Sequence, residues 1–169
     1  RVAGNIPYNI TSPILFHVID HRSAVSDLTI MMQREVARRL VSGPGSKDYG
    51  IPAVFCRLFG DIEILFDVSP HAFIPVPAVT SSVIRMTMLG RPRFETADEP
   101  FFRAMVRSVF GKRRKTLRNT LRSFLGTAEI PAGLPIDATR RPEELSVGEL
   151  VELSNVLYAK THGILPRSS

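Results

Sequence analysis

A partner for Cys56 is missing from this chain. The lone cysteine, set in the apolar stretch IPAVFCRLF, excludes an internal disulfide and predicts a reducing compartment. Its thiol reads as a small buried hydrophobe rather than a nucleophile. No apolar run approaches the roughly 18 residues that cross a bilayer, and the N-terminus lacks the charged-then-apolar layout of a secretory leader. A soluble, cytoplasmic protein with no membrane partner is expected. Metal-ligand clusters are lacking as well: His17 and His21 stand four apart near Asp20, but no third ligand group accompanies them, so no metal is expected. No internal repeat and no low-complexity tract occurs. Acidic residues vanish between Phe101 and Arg122, a stretch that holds eight basic ones.

With 169 residues and 44% hydrophobic content, the chain can bury a real core. It begins RVAGN, without an initiator methionine and directly in a strand-like run, which predicts a piece of a longer protein. The net charge of +6 is uneven: residues 1–90 hold 8 basic and 7 acidic groups, and residues 91–169 hold 14 and 9. A basic field of this kind predicts a polyanionic partner.

After the opening strand, TSPILFHVIDHR has a Thr/Ser cap, an early proline and apolar residues at helical spacing. DLTIMMQ has strand length, and REVARRLV shifts back to helical spacing. SGPGSKDYG is a loop, IPAVFCRLFG a short helix and IEILFDV a strand. The three prolines of SPHAFIPVPAV exclude regular structure, and SSVIRMTML alternates as a strand. Strands alternating with helices predict an α/β layer fold with a largely parallel sheet, the last two strands supplying an antiparallel edge. GRPRFETADEP reads as a linker, and PFFRAMVRSVFG, KTLRNTLRSFLG and SVGELVELSNVLYAK read as helices of a small second domain.

The opening strand ends in Asn5-Ile6-Pro7-Tyr8, which falls where parallel sheets bind ligands. An amide oxygen accepts hydrogen bonds, a proline stiffens the turn, and an aromatic ring stacks on a flat substrate. A planar, amino-bearing substrate fits. The exocyclic amine of adenine is a poor nucleophile, because its lone pair is delocalised into the ring. If the Asn5 side-chain oxygen and the Ile6 carbonyl both accept its hydrogens, the nitrogen is oriented and its developing positive charge is stabilised.

These four residues resemble the Asn-Leu/Ile-Pro-Tyr motif of adenine-N6 methyltransferases that use S-adenosyl-L-methionine. PGSKDYG, FIPVPAVTSSVIRM and FGKRRKTLRNTL follow in order, and together the segments resemble the ribosomal RNA adenine dimethyltransferase family acting on the small subunit. The resemblance implies catalytic roles for Asn5, Ile6, Pro7 and Tyr8. It implies stacking on the extruded base by Tyr8 and Phe73, and a donor contact from Asn5. The fold implied is the C-terminal part of a Rossmann-like methyltransferase sheet over residues 1–90, followed by a small all-helical RNA-binding domain over 91–169.

The family's glycine-rich turn and its strand-end acid, which hold the donor, have no counterpart here, since GPGSKDYG follows a helix rather than a strand. The expectation is therefore a chain largely without its S-adenosyl-L-methionine site, inactive alone, and able to self-associate through an uncovered sheet edge. The basic residues Arg103, Arg107, Lys112, Arg113, Arg114, Lys115, Arg118 and Arg122 are the expected contacts to small-subunit ribosomal RNA. Two alternatives stay open: a non-enzymatic RNA-binding or ribosome-assembly module, and a large-subunit methyltransferase of the antibiotic-resistance type, against which FGKRRKTLRN argues.

Overall fold

The computed structural model describes residues 1–7, 10–112 and 115–163. The chain divides into two compact units: residues 1–43 with 48–93, and residues 44–47 with those from 94 onward.

In the first unit the sequence alternates β1 (Val2–Asn5), α1 (Thr11–Asp20), β2 (Asp27–Gln33), α2 (Arg34–Val41), α3 (Ile51–Phe59), β3 (Gly60–Val68) and β4 (Ser81–Met88). The sheet order is β1-β2-β4-β3. β1 pairs parallel with β2, while β4 pairs antiparallel with both β2 and β3. Three strands thus share one direction, yet only one of the three pairings is parallel, which corrects the expectation of a largely parallel sheet. The last two strands do occupy one end of the sheet, but the reversed strand is the inner of the two. The cause is the length of the β3–β4 connection. Residues 69–80 carry three prolines and form one 3₁₀ turn with no crossover helix, and β4 returns alongside β3 in the opposite sense.

Alternation fixes which face is buried. Leu28, Ile30 and Met32 of β2 and Ile84 and Met86 of β4 are closed to solvent, while Arg85 and Thr87 face out. Leu15 and Ile19 of α1 and Ala53–Phe59 of α3, apart from half-buried Arg57, complete this core. Phe16 meets Phe55 edge-on at 5.5 Å between ring centroids, joining α1 to α3. Cys56 lies fully buried here, and burial pushes its thiol up to about 12, which keeps it protonated and unreactive. Arg57 ties α3 to the end of α2 by donating to the Val41 carbonyl at 2.7 Å and the Ser42 carbonyl at 2.9 Å.

α3 passes into β3 at Gly60 with no loop between them. A Cβ at Gly60 would stand 2.7 Å from Met86 Cε and 2.8 Å from the Thr87 carbonyl oxygen. Backbone cannot yield as a side chain can, so Gly60→Ala is expected to destabilise the protein by about 1–3 kcal/mol. A urea midpoint equal to that of the parent would contradict this packing.

In the second unit, α4 (Glu99–Phe110), α5 (Leu117–Leu125) and α6 (Val147–Thr161) bury Phe102, Met105, Val106, Val109, Leu117, Leu121, Leu150, Leu153 and Leu157. Local sequence sets the helix starts. Asp98 accepts from the Phe101 N–H at 2.7 Å, and Ser146 with Glu149 forms a reciprocal capping box. Arg140 donates to Glu149 and, at 2.8 Å, to the Glu144 carbonyl. The Arg140 hydrogen bond holds the Glu149 carboxyl below its ordinary value. Among the described residues no helix is long and apolar enough to cross a membrane.

Candidate active site

Asn5 is the last residue of β1, and Pro7 two positions on has no amide hydrogen with which to extend a ladder. Across the ladder Asn5 lies opposite Met31 of β2. Because β1, β2 and β3 run the same way, the exit of β1, the end of β2 and the connection leaving β3 all open on one edge of the sheet.

That connection is shaped by its prolines. Pro70 starts a single 3₁₀ turn, Pro70–Ala72, whose first hydrogen bonds are helped by the Ser69 hydroxyl accepting from the His71 N–H at 3.3 Å. Phe73 donates its N–H to the Pro70 carbonyl at 3.2 Å and then turns extended, with φ −123° and ψ 150°. The Ile74–Pro75 peptide bond is cis.

A pocket of about 390 Å³ forms where these segments meet. The exit of β1 contributes Asn5, Ile6 and Pro7, and β2 contributes Met31. The connection contributes Phe73, Ile74, Pro75 and Pro77. The volume lies within the range of small-ligand sites, roughly 300–1,000 Å³. Its walls are apolar and partly aromatic, and among the described residues lining it the one side chain with a hydrogen-bonding head is Asn5. Such a lining suits a flat heterocycle carrying one amino edge.

Of the residues expected at the site, Asn5, Ile6, Pro7 and Phe73 are thus brought together, although Asn5 and Phe73 are far apart in sequence. Tyr8 lies outside the described residues. Sequence reasoning missed Met31, Ile74, Pro75 and Pro77. The only signal for Met31 was its place in an alternating strand, which says that it faces away from Leu28 and Ile30 but not what it faces.

A methyl donor with a ribose and an amino-acid end needs a glycine turn and carboxylates around it. Among the described residues, those lining this pocket supply neither. His17 on α1 and His21 just past its end are exposed with ring centroids 4.3 Å apart, and no group of three or more metal-ligating side chains occurs among the described residues.

In the second unit, Arg107, Lys112, Lys115, Arg118 and Arg122 are exposed. Arg118 and Arg122 stand one turn apart on α5, away from the buried Leu117, Thr120 and Leu121. Lys112 donates to the Ser123 hydroxyl at 2.6 Å. Arg103 differs from the rest: its side chain is only 15% exposed and pairs with Glu99 at 2.9 Å along α4. Arg113 and Arg114 lie outside the described residues.

A sheet with one reversed inner strand, helices packed on it and a pocket at the strand ends has the architecture of Rossmann-like methyltransferases. Across 96% of its length the chain superposes on 67% of a dimethyladenosine transferase from Plasmodium falciparum, with a TM-score of 0.74 at 22% identity. The 23S rRNA methyltransferase ErmE gives a TM-score of 0.53 at 24% identity, over 92% of this chain and 64% of that one. The chain belongs to the ribosomal RNA adenine dimethylase family, whose sequence profile matches residues 1–158. Among its relatives, the ribosomal RNA small subunit methyltransferase A of Aromatoleum aromaticum is 45% identical over 161 residues, 95% of this chain and 60% of that protein. The protein of the same description from Pseudomonas aeruginosa is 40% identical over 157 residues, 93% of this chain and 58% of that one. The chain therefore spans about three fifths of the length of these relatives.

Proposed function

We propose that this chain supplies the acceptor-base pocket and the RNA-holding helices of an enzyme that dimethylates adenine N6 in small-subunit ribosomal RNA. S-adenosyl-L-methionine, the donor implied by family membership, supplies an electrophilic methyl group. The chain's own residues act on the acceptor. The Asn5 side-chain oxygen and the Ile6 carbonyl accept the two amine hydrogens, turning the nitrogen lone pair out of conjugation and favouring the charge that develops on it. Phe73 covers one face of the adenine and Tyr8 the other, each stack worth roughly 1–3 kcal/mol. Arg107, Lys112, Arg113, Arg114, Lys115, Arg118 and Arg122 hold the phosphate backbone, while Arg103 pairs with Glu99.

The observation that carries this reading is the convergence of Asn5 and Phe73 on one pocket with an apolar lining and a single amide head. Isothermal titration of the 169-residue chain against small-subunit ribosomal RNA and against S-adenosyl-L-methionine tests it. The expected result is RNA binding that weakens steeply with salt, with no donor binding in the micromolar range. Micromolar donor binding, or RNA affinity insensitive to salt, would overturn the division of labour described here.

A further inference from the structure

The β3–β4 connection carries more apolar surface than base capture requires. Ile74 is fully exposed, at 101% of its reference area, although Phe73 beside it is half-buried and Ile84 of the following strand is closed off. Val76, two residues on, is 57% exposed. An aliphatic side chain left wholly in water forgoes the stabilisation that burial would give it. Pro75 and Pro77 restrict the backbone on either side of Val76, so the tip cannot easily fold inward. Ile74 also lines the mouth of the pocket that holds Asn5 and Phe73. No acidic residue occurs between Asp67 and Glu95, so the connection places no negative charge against a phosphate backbone.

We propose that Ile74, backed by Val76, is a wedge that enters the RNA stack at the position vacated by the extruded adenine. This inference rests on the reading of the pocket as an adenine site. A base drawn out of a helix leaves a gap between its neighbours, and the unstacking is costly. Proteins that distort nucleic acids fill such gaps with apolar side chains, isoleucine among them. A wedge must be apolar, exposed, stiffly mounted and adjacent to the pocket that receives the base, and Ile74 satisfies all four conditions. A residue serving the face of the base would turn inward as Phe73 does. The charge pattern favours RNA over a protein partner or a second copy of this chain.

The test uses small-subunit ribosomal RNA stem-loops, each with one adenine replaced by 2-aminopurine, whose fluorescence rises when it leaves the stack. The parent chain is expected to raise the signal at specific positions. Ile74→Ala should cut that rise about fivefold or more while RNA affinity stays within about twofold, because phosphate contacts dominate affinity and the wedge acts on extrusion. Ile74→Leu should keep the rise, and Ile74→Lys should lose it without weakening binding. Thermal unfolding of Ile74→Ala should match the parent, since the side chain has no buried contacts to lose. If Phe73→Ala abolishes the rise and Ile74→Ala leaves it unchanged, the wedge is wrong and the pocket stands. If the parent chain produces no rise at any position, the adenine-pocket reading falls and the wedge with it. A dimer in sedimentation that Ile74→Ala dissolves would assign the tip to self-association and overturn the proposal.

Discussion

Asn5→Ala is expected to lower the rate of methyl transfer by about a hundredfold to a thousandfold, the loss that follows removal of one preorganised hydrogen-bonding group from a site where charge develops. RNA affinity should change by no more than about twofold, because the contact proposed for Asn5 is to the reacting amine and not to the phosphate backbone. The geometry gives the reason. Asn5 closes β1 in register with Met31, so its backbone is held by the strand pairing behind it and stiffened by Pro7 beyond it. Asn5→Asp keeps an oxygen acceptor in the same place and should lose less than Asn5→Ala. The rates are measured under single turnover, with this chain joined to the remainder of the length of its Aromatoleum aromaticum relative, and RNA binding is measured separately on the same protein. Activity of Asn5→Ala within twofold of the parent would remove Asn5 from the chemistry.

The ends of the elements around this site were legible from neighbouring residues, whereas their meeting was not. Pro7 announces the end of β1, and the three prolines of the 69–80 segment announce an irregular connection, because proline removes a donor wherever it falls. The same segment does contain one 3₁₀ turn, which Ser69 and Pro70 favour locally. That Phe73 returns to Asn5 depends on β3 running parallel to β1 with β4 between β3 and β2. Strand order is a property of long-range pairing, and the alternation in SSVIRMTM shows that one face is buried without naming the neighbours. Met31 was hidden for the same reason, since its role follows from the register opposite Asn5. Arg103 has a partner that the basic stretch alone does not show. Counted from Phe101 onward the stretch has no acid, but Glu99 lies one turn back on the same helix and takes up the Arg103 guanidinium, a pairing that four-residue spacing could have revealed.

The exposed cations of α4 and α5 set the largest expected change in RNA binding. Arg107, Arg118 and Arg122 are exposed on α4 and α5, and the buried residues of α5 lie on its other side, so glutamine at all three positions should leave the fold intact. Each phosphate contact contributes about 0.9 to the slope of log affinity against log salt in duplex RNA regions, so losing three lowers the slope by about 2.7. If the affinity extrapolated to 1 M salt is unchanged, the loss at 0.1 M salt is about 500-fold, because the two lines diverge by that slope over one decade. Arg103→Gln should change the slope less than Arg118→Gln or Arg122→Gln, since its guanidinium is largely buried beside Glu99. Fluorescence anisotropy of a labelled small-subunit stem-loop, recorded from 50 mM to 300 mM salt, measures both the slope and the affinity. A triple variant whose slope matches the parent would show that the phosphate backbone lies against some other surface, and the acid-free stretch from Phe101 to Arg122 would then be a solvated face and nothing more.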